Sequence, residues 1–296
     1  MLSNELRIGD GPPVDCVVAP PRYPRSAVFS NLTRKISNRL ASHVPVDVRR
    51  LANKAPIVSF TFDDVPESAH SRGAAMLERA GSRGTYYVST ALLGCRTREW
   101  TLIDRDGVAD LHRRGHEIGL HTHSHRAVSS LSGEELRVEV EENRARIRDI
   151  SAAIDPQNFA YPFGFASFPR KLQLSRLANS SRSVRPGINV GAFDAQYVKC
   201  VELTDARLSR AELELFLDAV VVKNGWLVFL SHDVSPSPSP YGCSTSLLER
   251  ALDGVAARGI AIVTVAQALR QSRRAGLAWP SAAAAQSRLA TAREGR

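Results

Sequence analysis

From about residue 55 onward, short apolar runs alternate with amphipathic stretches, a rhythm that predicts strand–helix units. The strand-like runs fall at 57–62, 85–89, 117–120, 159–163, 184–189, 198–203, 226–230 and 260–265. Between them, Ser132-Gly133-Glu134-Glu135 and Ser209-Arg210-Ala211-Glu212 open two helices with a capping-box pattern, Ser followed three residues on by Glu. The first runs through Leu136, Val140, Ile147 and Ile150; Leu213, Phe216, Leu217 and Val220 make the apolar face of the second. Seven or eight such alternations over about 215 residues predict a parallel barrel or a doubly wound sheet. Near-continuous apolar runs such as Trp226-Leu227-Val228-Phe229-Leu230 suit strands buried on both faces. The first 50 residues, rich in Pro, Arg and Ser, show little periodicity and are expected either to wrap the domain or to be poorly ordered.

Polar clusters follow several of these runs. Asp63 and Asp64 end the first, His121 follows Ile118-Gly119-Leu120, Pro162-Phe163-Gly164 follows Phe159-Ala160-Tyr161, and His232 follows Phe229-Leu230-Ser231. In parallel α/β folds, chemistry gathers at the C-terminal ends of the strands, so four clusters at that kind of position predict one site. Pro236-Ser237-Pro238-Ser239-Pro240 reads as a stiff loop on its rim.

The 296 residues suffice for one large domain or two small ones, and 43% apolar with 23% charged content suits a soluble globular protein. Aromatics make up only 6%, which argues against a wide stacking surface for nucleic acid or polysaccharide, and no nucleic-acid partner is expected. The net charge of +9 is concentrated outside the predicted units. Residues 270–296 carry six arginines against Glu294, and Arg34, Lys35, Arg39, Arg49, Arg50 and Lys54 precede the first motif. Such flanks read as solubilising termini, with attraction to anionic lipid headgroups or an acidic glycan as the sharper alternative. Cys16, Cys95, Cys200 and Cys243 form no C-x-x-C pair, and a domain of this size needs no disulfide staples. The start lacks an apolar signal core and no run is long enough to span a bilayer. The chain is therefore expected to be cytoplasmic, or at most peripheral to the inner membrane. Expected domains are an irregular basic extension at 1–50, a barrel at 51–272 and a disordered Ala/Arg-rich tail at 273–296.

Asp64, His121 and His125 form a set of two histidines and one carboxylate able to hold a divalent metal with one position open. If 121–125 is helical, the two histidines share one face. Zinc is the default for such donors; cobalt, nickel or iron also fit. Asp63 is then free to act as base and His232 as acid, with a backbone N–H near Phe163 and Gly164 as oxyanion donor. Each residue alone has a plainer reading: Asp63-Asp64 as a helix cap, His232 as a hydrogen-bonded structural histidine, the His121–His125 run as a solvated turn. Their joint order and strand context favour a site. His123 points away from the others and reads as supporting or exposed.

These residues resemble the motifs of the NodB-type polysaccharide deacetylases, the family 4 carbohydrate esterases. T-F-D-D-G matches Thr61-Phe62-Asp63-Asp64-Val65; H-[ST]-x-x-H matches His121-Thr122-His123-Ser124-His125, preceded by Gly115-His116-Glu117-Ile118-Gly119. R-x-P-[YF]-G matches Ala160-Tyr161-Pro162-Phe163-Gly164, and L-x-H matches Leu230-Ser231-His232. The resemblance covers about residues 55–270. It implies a distorted (β/α) barrel of about seven parallel strands and metal-dependent removal of an N-acetyl group. Asp63 would be base, His232 acid, Asp64, His121 and His125 the ligands, and Phe163, between Pro162 and Gly164, the oxyanion donor. There are departures. Val65 replaces a glycine, and Ala160 replaces the arginine that pairs with the catalytic aspartate, a place Arg185 is expected to fill. The fourth motif, an Asp followed by Trp, is not recognisable. Asn189 sits near its Asp position, and Asp233 is a weak substitute support for His232.

Three readings follow. The first is an N-deacetylase acting on an N-acetylhexosamine in an oligosaccharide, polysaccharide or lipid-linked glycan. The second is a deformylase or another hydrolase of small non-peptide C–N bonds. The third is a non-catalytic carbohydrate-binding protein with a degenerate site, supported only by Ala160.

Overall fold

The computed structural model describes residues 14–15, 28–164 and 166–274. Seven parallel strands close into a barrel: β1 Ile57–Asp63, β2 Thr85–Val88, β3 Glu117–Leu120, β4 Asn158–Ala160, β5 Ser180–Pro186, β6 Val198–Glu202 and β7 Trp226–Ser231. Neighbours follow chain order, and β7 closes onto β1 from Trp226↔Ile57 to Ser231↔Phe62. A short strand, Ala261–Ile262, pairs with Ile57 and Val58 at the start of β1, whereas β2 pairs only from Thr61 onward. Every residue of β1 and β7 is buried, so neither could show a polar alternation.

Both predicted capping boxes are present, at Ser132 before the helix Gly133–Ile150 and at Ser209 before the helix Arg210–Val222. Strand boundaries differ where polar chemistry overrides the apolar pattern. β5 begins at Ser180, not 184, because its early residues are buried polar groups with partners. Ser180 Oγ donates to Asn158 Oδ1 (2.9 Å), Ser181 Oγ to Gln196 Oε1 (2.8 Å) and Ser183 Oγ to Val198 O (3.0 Å). β4 stops at Ala160 because the chain turns at once into the short Pro162–Gly164 helix, where Phe163 is left-handed. The last run shrinks to two residues because Thr264 caps the helix Val265–Arg270.

The basic extension is partly built into the fold. Its helix Val28–His43 ends on Lys171, a buried lysine of the helix Phe168–Leu174. Lys171 Nζ donates to Ala41 O (2.6 Å) and Val44 O (2.8 Å) and pairs with Asp194, satisfying carbonyls that a helix end leaves open. The strand Val48–Leu51 then lies between Ala192–Asp194 and Ser272–Arg274 in a small antiparallel sheet. The tail expected at 273–296 lies, beyond Arg274, outside the described residues. Cys200 and Cys243 are free and buried; Cys95 is disulfide-bonded, a cross-link that chain size did not call for. Among the described residues no helix is long and apolar enough to cross a membrane.

Candidate active site

The C-terminal ends of the strands bring the expected residues together. Asp63 ends β1, and the chain reverses so tightly that Val65 N donates to Asp63 O at 2.6 Å. This turn places Asp64 and Val65 at φ 58° and 56°. The result is that adjacent carboxylates diverge. Asp63 stays inside the barrel, and Asp64 faces the loop after β3.

That loop is not helical. His121–His125 is an irregular segment with left-handed Thr122 and His125, at φ 55° and 54°. The expectation that helical spacing aligns the two histidines is therefore replaced by loop geometry with the same outcome. His125 Nε2 lies 3.3 Å and His121 Nε2 3.7 Å from Asp64 Oδ1, and all three donors fall within 4.8 Å of one another. His121 Nδ1 is 2.9 Å from Ala160 O; as a donor to that carbonyl it leaves Nε2 bare for a ligand. Burial pushes the His121 pKa down to about 4, so its imidazole is neutral at physiological pH. Asp64 Oδ1 is buried without a hydrogen-bond partner. Two imidazole nitrogens converging on an orphaned carboxylate oxygen fit a divalent cation.

Among the described residues, six non-glycine residues have positive φ, and five of them, Asp64, Val65, Thr122, His125 and Phe163, belong to these site turns. Such strain persists only where the surroundings over-determine it. For the His121–His125 loop the bracing comes from the helix Gly133–Ile150. Glu139 accepts from Ser124 N (2.8 Å) and Ser124 Oγ, and its carbonyl accepts from His123 N (3.1 Å). Asn143 donates to Val88 O (2.9 Å) and accepts from Thr90. Thr90 in turn bonds His123 Nδ1 (2.8 Å), so His123 is a supporting residue. Nothing in the H-x-x-H motif itself pointed to Glu139 or Asn143.

The arginine beside Asp63 is Arg182, not Arg185. Arg182 is buried and its Nη2 donates to Asp63 Oδ2. Burial alone would raise the Asp63 pKa, but Arg182, with His121 and His232, holds it below the usual carboxylate range. Arg182 is paired directly with Ala160 across β4 and β5, so the guanidinium reaches Asp63 from the next strand over. The clue was available in Ser180-Ser181-Arg182-Ser183, but a polar run does not announce a buried strand. Arg185 instead donates to Ser42 O at the end of the helix Val28–His43.

Phe163 packs its ring on His125, with centroids 4.6 Å apart. Pro162 and Gly164 are buried on either side. A Cβ on Gly164 would meet Val184 at 2.2 Å, so the glycine is a steric requirement. His232 follows β7, with Nδ1 3.2 Å from Tyr241 O and its ring stacked on Trp100. Asp233 does not support it: that carboxylate accepts from Ser239 N (2.9 Å) and Oγ and braces the proline-rich loop. Asn189 is also elsewhere, paired with Trp226 at the opposite end of β7.

Residues 50–178 match the family model described as polysaccharide deacetylase. The fold is similar to that of the chitin deacetylase of Colletotrichum lindemuthianum, at TM-score 0.55 and 20% identity, over 77% of this chain and 93% of that one. A family 4 carbohydrate esterase from Bacillus anthracis aligns at TM-score 0.51 and 14% identity, over 86% and 98%. The Bc1960 peptidoglycan N-acetylglucosamine deacetylase aligns at TM-score 0.53 and 17% identity, over 77% and 94%. A search of curated protein sequences found no match. The motif resemblance seen in the sequence is thus matched by a family model and by the closed seven-stranded barrel.

Proposed function

We propose that this chain, a barrel of the polysaccharide-deacetylase type, is a metal-dependent hydrolase that removes the N-acetyl group from an N-acetylhexosamine in an oligosaccharide, polysaccharide or lipid-linked glycan. The observation that carries the reading is the division of labour between adjacent carboxylates. Asp64 Oδ1 is the carboxylate oxygen that both His121 and His125 approach, while Asp63, 3.9 Å from His121 Nε2 alone, is held ionised by Arg182.

Asp64, His121 and His125 would hold the ion, zinc by donor type, with cobalt, nickel or iron as alternatives. A bound divalent metal supplies a water of lowered pKa and polarises the acetyl carbonyl. Asp63, ionised and lacking a partner on Oδ1, accepts the proton of the attacking water. The Gly164 N–H is committed to Tyr161 O (2.8 Å), so the donor this turn offers the developing oxyanion is the Phe163 N–H. His232 delivers a proton to the departing nitrogen as the C–N bond breaks. Water's oxygen ends in acetate and the sugar keeps a free amine.

The barrel relatives whose names specify chitin and peptidoglycan support a glycan amide as substrate. A small formamide or other C–N bond uses the same groups and would be separated by substrate preference. The degenerate-site reading rested on Ala160, and Arg182 removes that support. The cytoplasmic or membrane-peripheral location expected from the sequence stays part of this proposal, with the basic flanks as the membrane-facing element. The disulfide at Cys95 pulls the other way, because cytosolic thiols are kept reduced. Thiol labelling of protein taken from its own cells decides between them.

The test is acetate release by zinc-reconstituted protein from N-acetylglucosamine oligomers and a lipid-linked N-acetylhexosamine, beside Asp63→Asn. Acetate from wild type and none from the variant supports the reading. A tightly bound metal with no acetate from any substrate shifts the assignment to another amide. Neither acetate nor metal overturns it.

A further inference from the structure

A cleft of about 620 Å³ opens where three elements meet, and none of its lining residues belongs to the site described above. The end of the helix Val28–His43 supplies Ser42 and His43, the segment after β5 supplies Ile188 and Val190, and Lys223 follows the helix Arg210–Val222. Arg185 and Lys199 also line it. Two further cations border it. Arg50 stands opposite Ala192, a lining residue, in the small antiparallel sheet. Lys54 follows Asn53, whose Nδ2 donates to Asn224 O (3.1 Å), one residue beyond Lys223.

The neighbouring acids are already taken. Asp194 pairs with Lys171 and accepts from Val46 N and Asp47 N (both 3.1 Å), and Asp47 pairs with Arg49 (2.9 Å). Among the described residues, Arg50, Lys54, Arg185, Lys199 and Lys223 form no ion pair. Part of the basic flank seen in the sequence is thus folded into a cationic surface that lacks a counter-charge.

The same surface exposes aliphatic side chains that a core would take. Ile36, Leu40 and Val44 recur every four residues, are 50%, 44% and 37% exposed, and form one stripe. Val44 stands between His43 and Pro45, both of which line the cleft. Val190 lines it too, and Val222, beside Lys223, is 84% exposed. The barrel holds the other side of the helix, where Ala41 is buried and Ser37 Oγ accepts from Phe168 N (3.0 Å).

We infer that this face docks the protein on a membrane surface carrying anionic lipid, with the Ile36, Leu40 and Val44 stripe in the interface and lipid phosphates at the cleft. This deepens the membrane-peripheral part of the reading above, moving the contact from the basic termini to a folded surface. Aliphatic groups enter the acyl boundary, while lysine and arginine stems reach the phosphate level. A second copy of the chain would bring the same five cations face to face across a two-fold contact. The chain beyond Arg274 is itself basic, with Arg288, Arg293 and Arg296 against Glu294, so it does not complement the cleft either.

The test is cosedimentation with vesicles of phosphatidylcholine alone and of phosphatidylcholine with about one third phosphatidylglycerol. Full-length protein is expected to bind the anionic vesicles, not the neutral ones, and to be released by salt. Lys199→Gln/Lys223→Gln should weaken binding about 25-fold, each lysine near a charged surface being worth about fivefold. Val44→Ser/Val222→Ser should weaken it about tenfold and leave the salt dependence in place. Equal binding to both vesicle types overturns the proposal. So does a lysine variant that binds like wild type, which would assign lipid contact to the termini. Self-association in sedimentation velocity that Val44→Ser/Val222→Ser abolishes, without vesicle binding, overturns it in favour of a second copy. All these substitutions lie outside the site, so acetate release from a soluble N-acetylglucosamine oligomer is expected unchanged. Vesicle binding with no acetate from any substrate keeps the docking face and overturns the proposed reaction instead.

Discussion

Arg182 closes its guanidinium onto the Asp63 carboxylate inside the barrel, with both side chains almost entirely out of water. A buried ion pair is weak evidence for stability, but breaking one from a single side is costly, because the partner is left as an uncompensated charge. Arg182→Met is therefore expected to destabilise the fold by about 3–5 kcal/mol, and Asp63→Asn by less, since its amide oxygen still accepts from the guanidinium. Pairing Arg182→Met with Asp63→Leu should recover most of the loss. Denaturant unfolding of the single and double variants measures the coupling directly. An additive double variant would show that the two side chains do not interact.

The metal set makes a prediction that does not depend on turnover. If Asp64, His121 and His125 hold a cation, zinc should raise the melting temperature in proportion to log concentration above Kd, and a chelator should reverse it. His125→Gln should abolish the shift. Glu139→Gln, which weakens the brace on Ser124 without touching a ligand, should cost about ten- to a hundredfold in zinc affinity. Isothermal titration with zinc reads both.

Val65 is a β-branched residue held left-handed where the resembled motif has glycine, yet its side chain is fully buried. Two terms oppose each other in Val65→Gly. Relief of backbone strain returns about 1–2 kcal/mol. Loss of a buried isopropyl group and the added freedom of the unfolded chain cost about 2–4 kcal/mol. A net loss near 1–2 kcal/mol is expected, with zinc affinity retained because the turn is preserved. A gain in stability would mean that strain dominates.

His116 supplies a pH dependence. Its Nδ1 accepts from Gly84 N (3.0 Å) and its Nε2 meets Glu78 Oε1 at 2.9 Å, so the ring is fixed as a neutral tautomer. Burial lowers its pKa, against the pull of Glu78. The unfolded chain therefore binds the proton more readily than the folded one. Stability from this group is intact above the unfolded value near 6.5 and falls as pH drops below it toward the lowered folded value. Melting temperature against pH should slope less between pH 6.5 and 5 in His116→Gln than in wild type. Equal slopes would assign the titration elsewhere.

The sequence by itself determined what short-range physics controls. Apolar runs bounded by polar ends marked the strands, and Ser132 and Ser209 set two helix starts through bonds that reach only three residues. The order Asp63-Asp64, His121, His125, His232 pointed to a candidate site at the strand ends. Tertiary structure decided whatever depends on which strands become neighbours. The register between β4 and β5 puts Arg182 opposite Ala160, so the charge that Asp63 needs comes from Arg182 and not from Arg185 three residues on. Glu139 braces the loop of His121 and His125 from a helix whose sequence pattern speaks only of its own amphipathic face. Trp100 and Tyr241 meet His232 although 141 positions separate the two aromatics. A side chain's partners across the barrel are fixed by register and closure, and neither leaves a periodic trace in the chain.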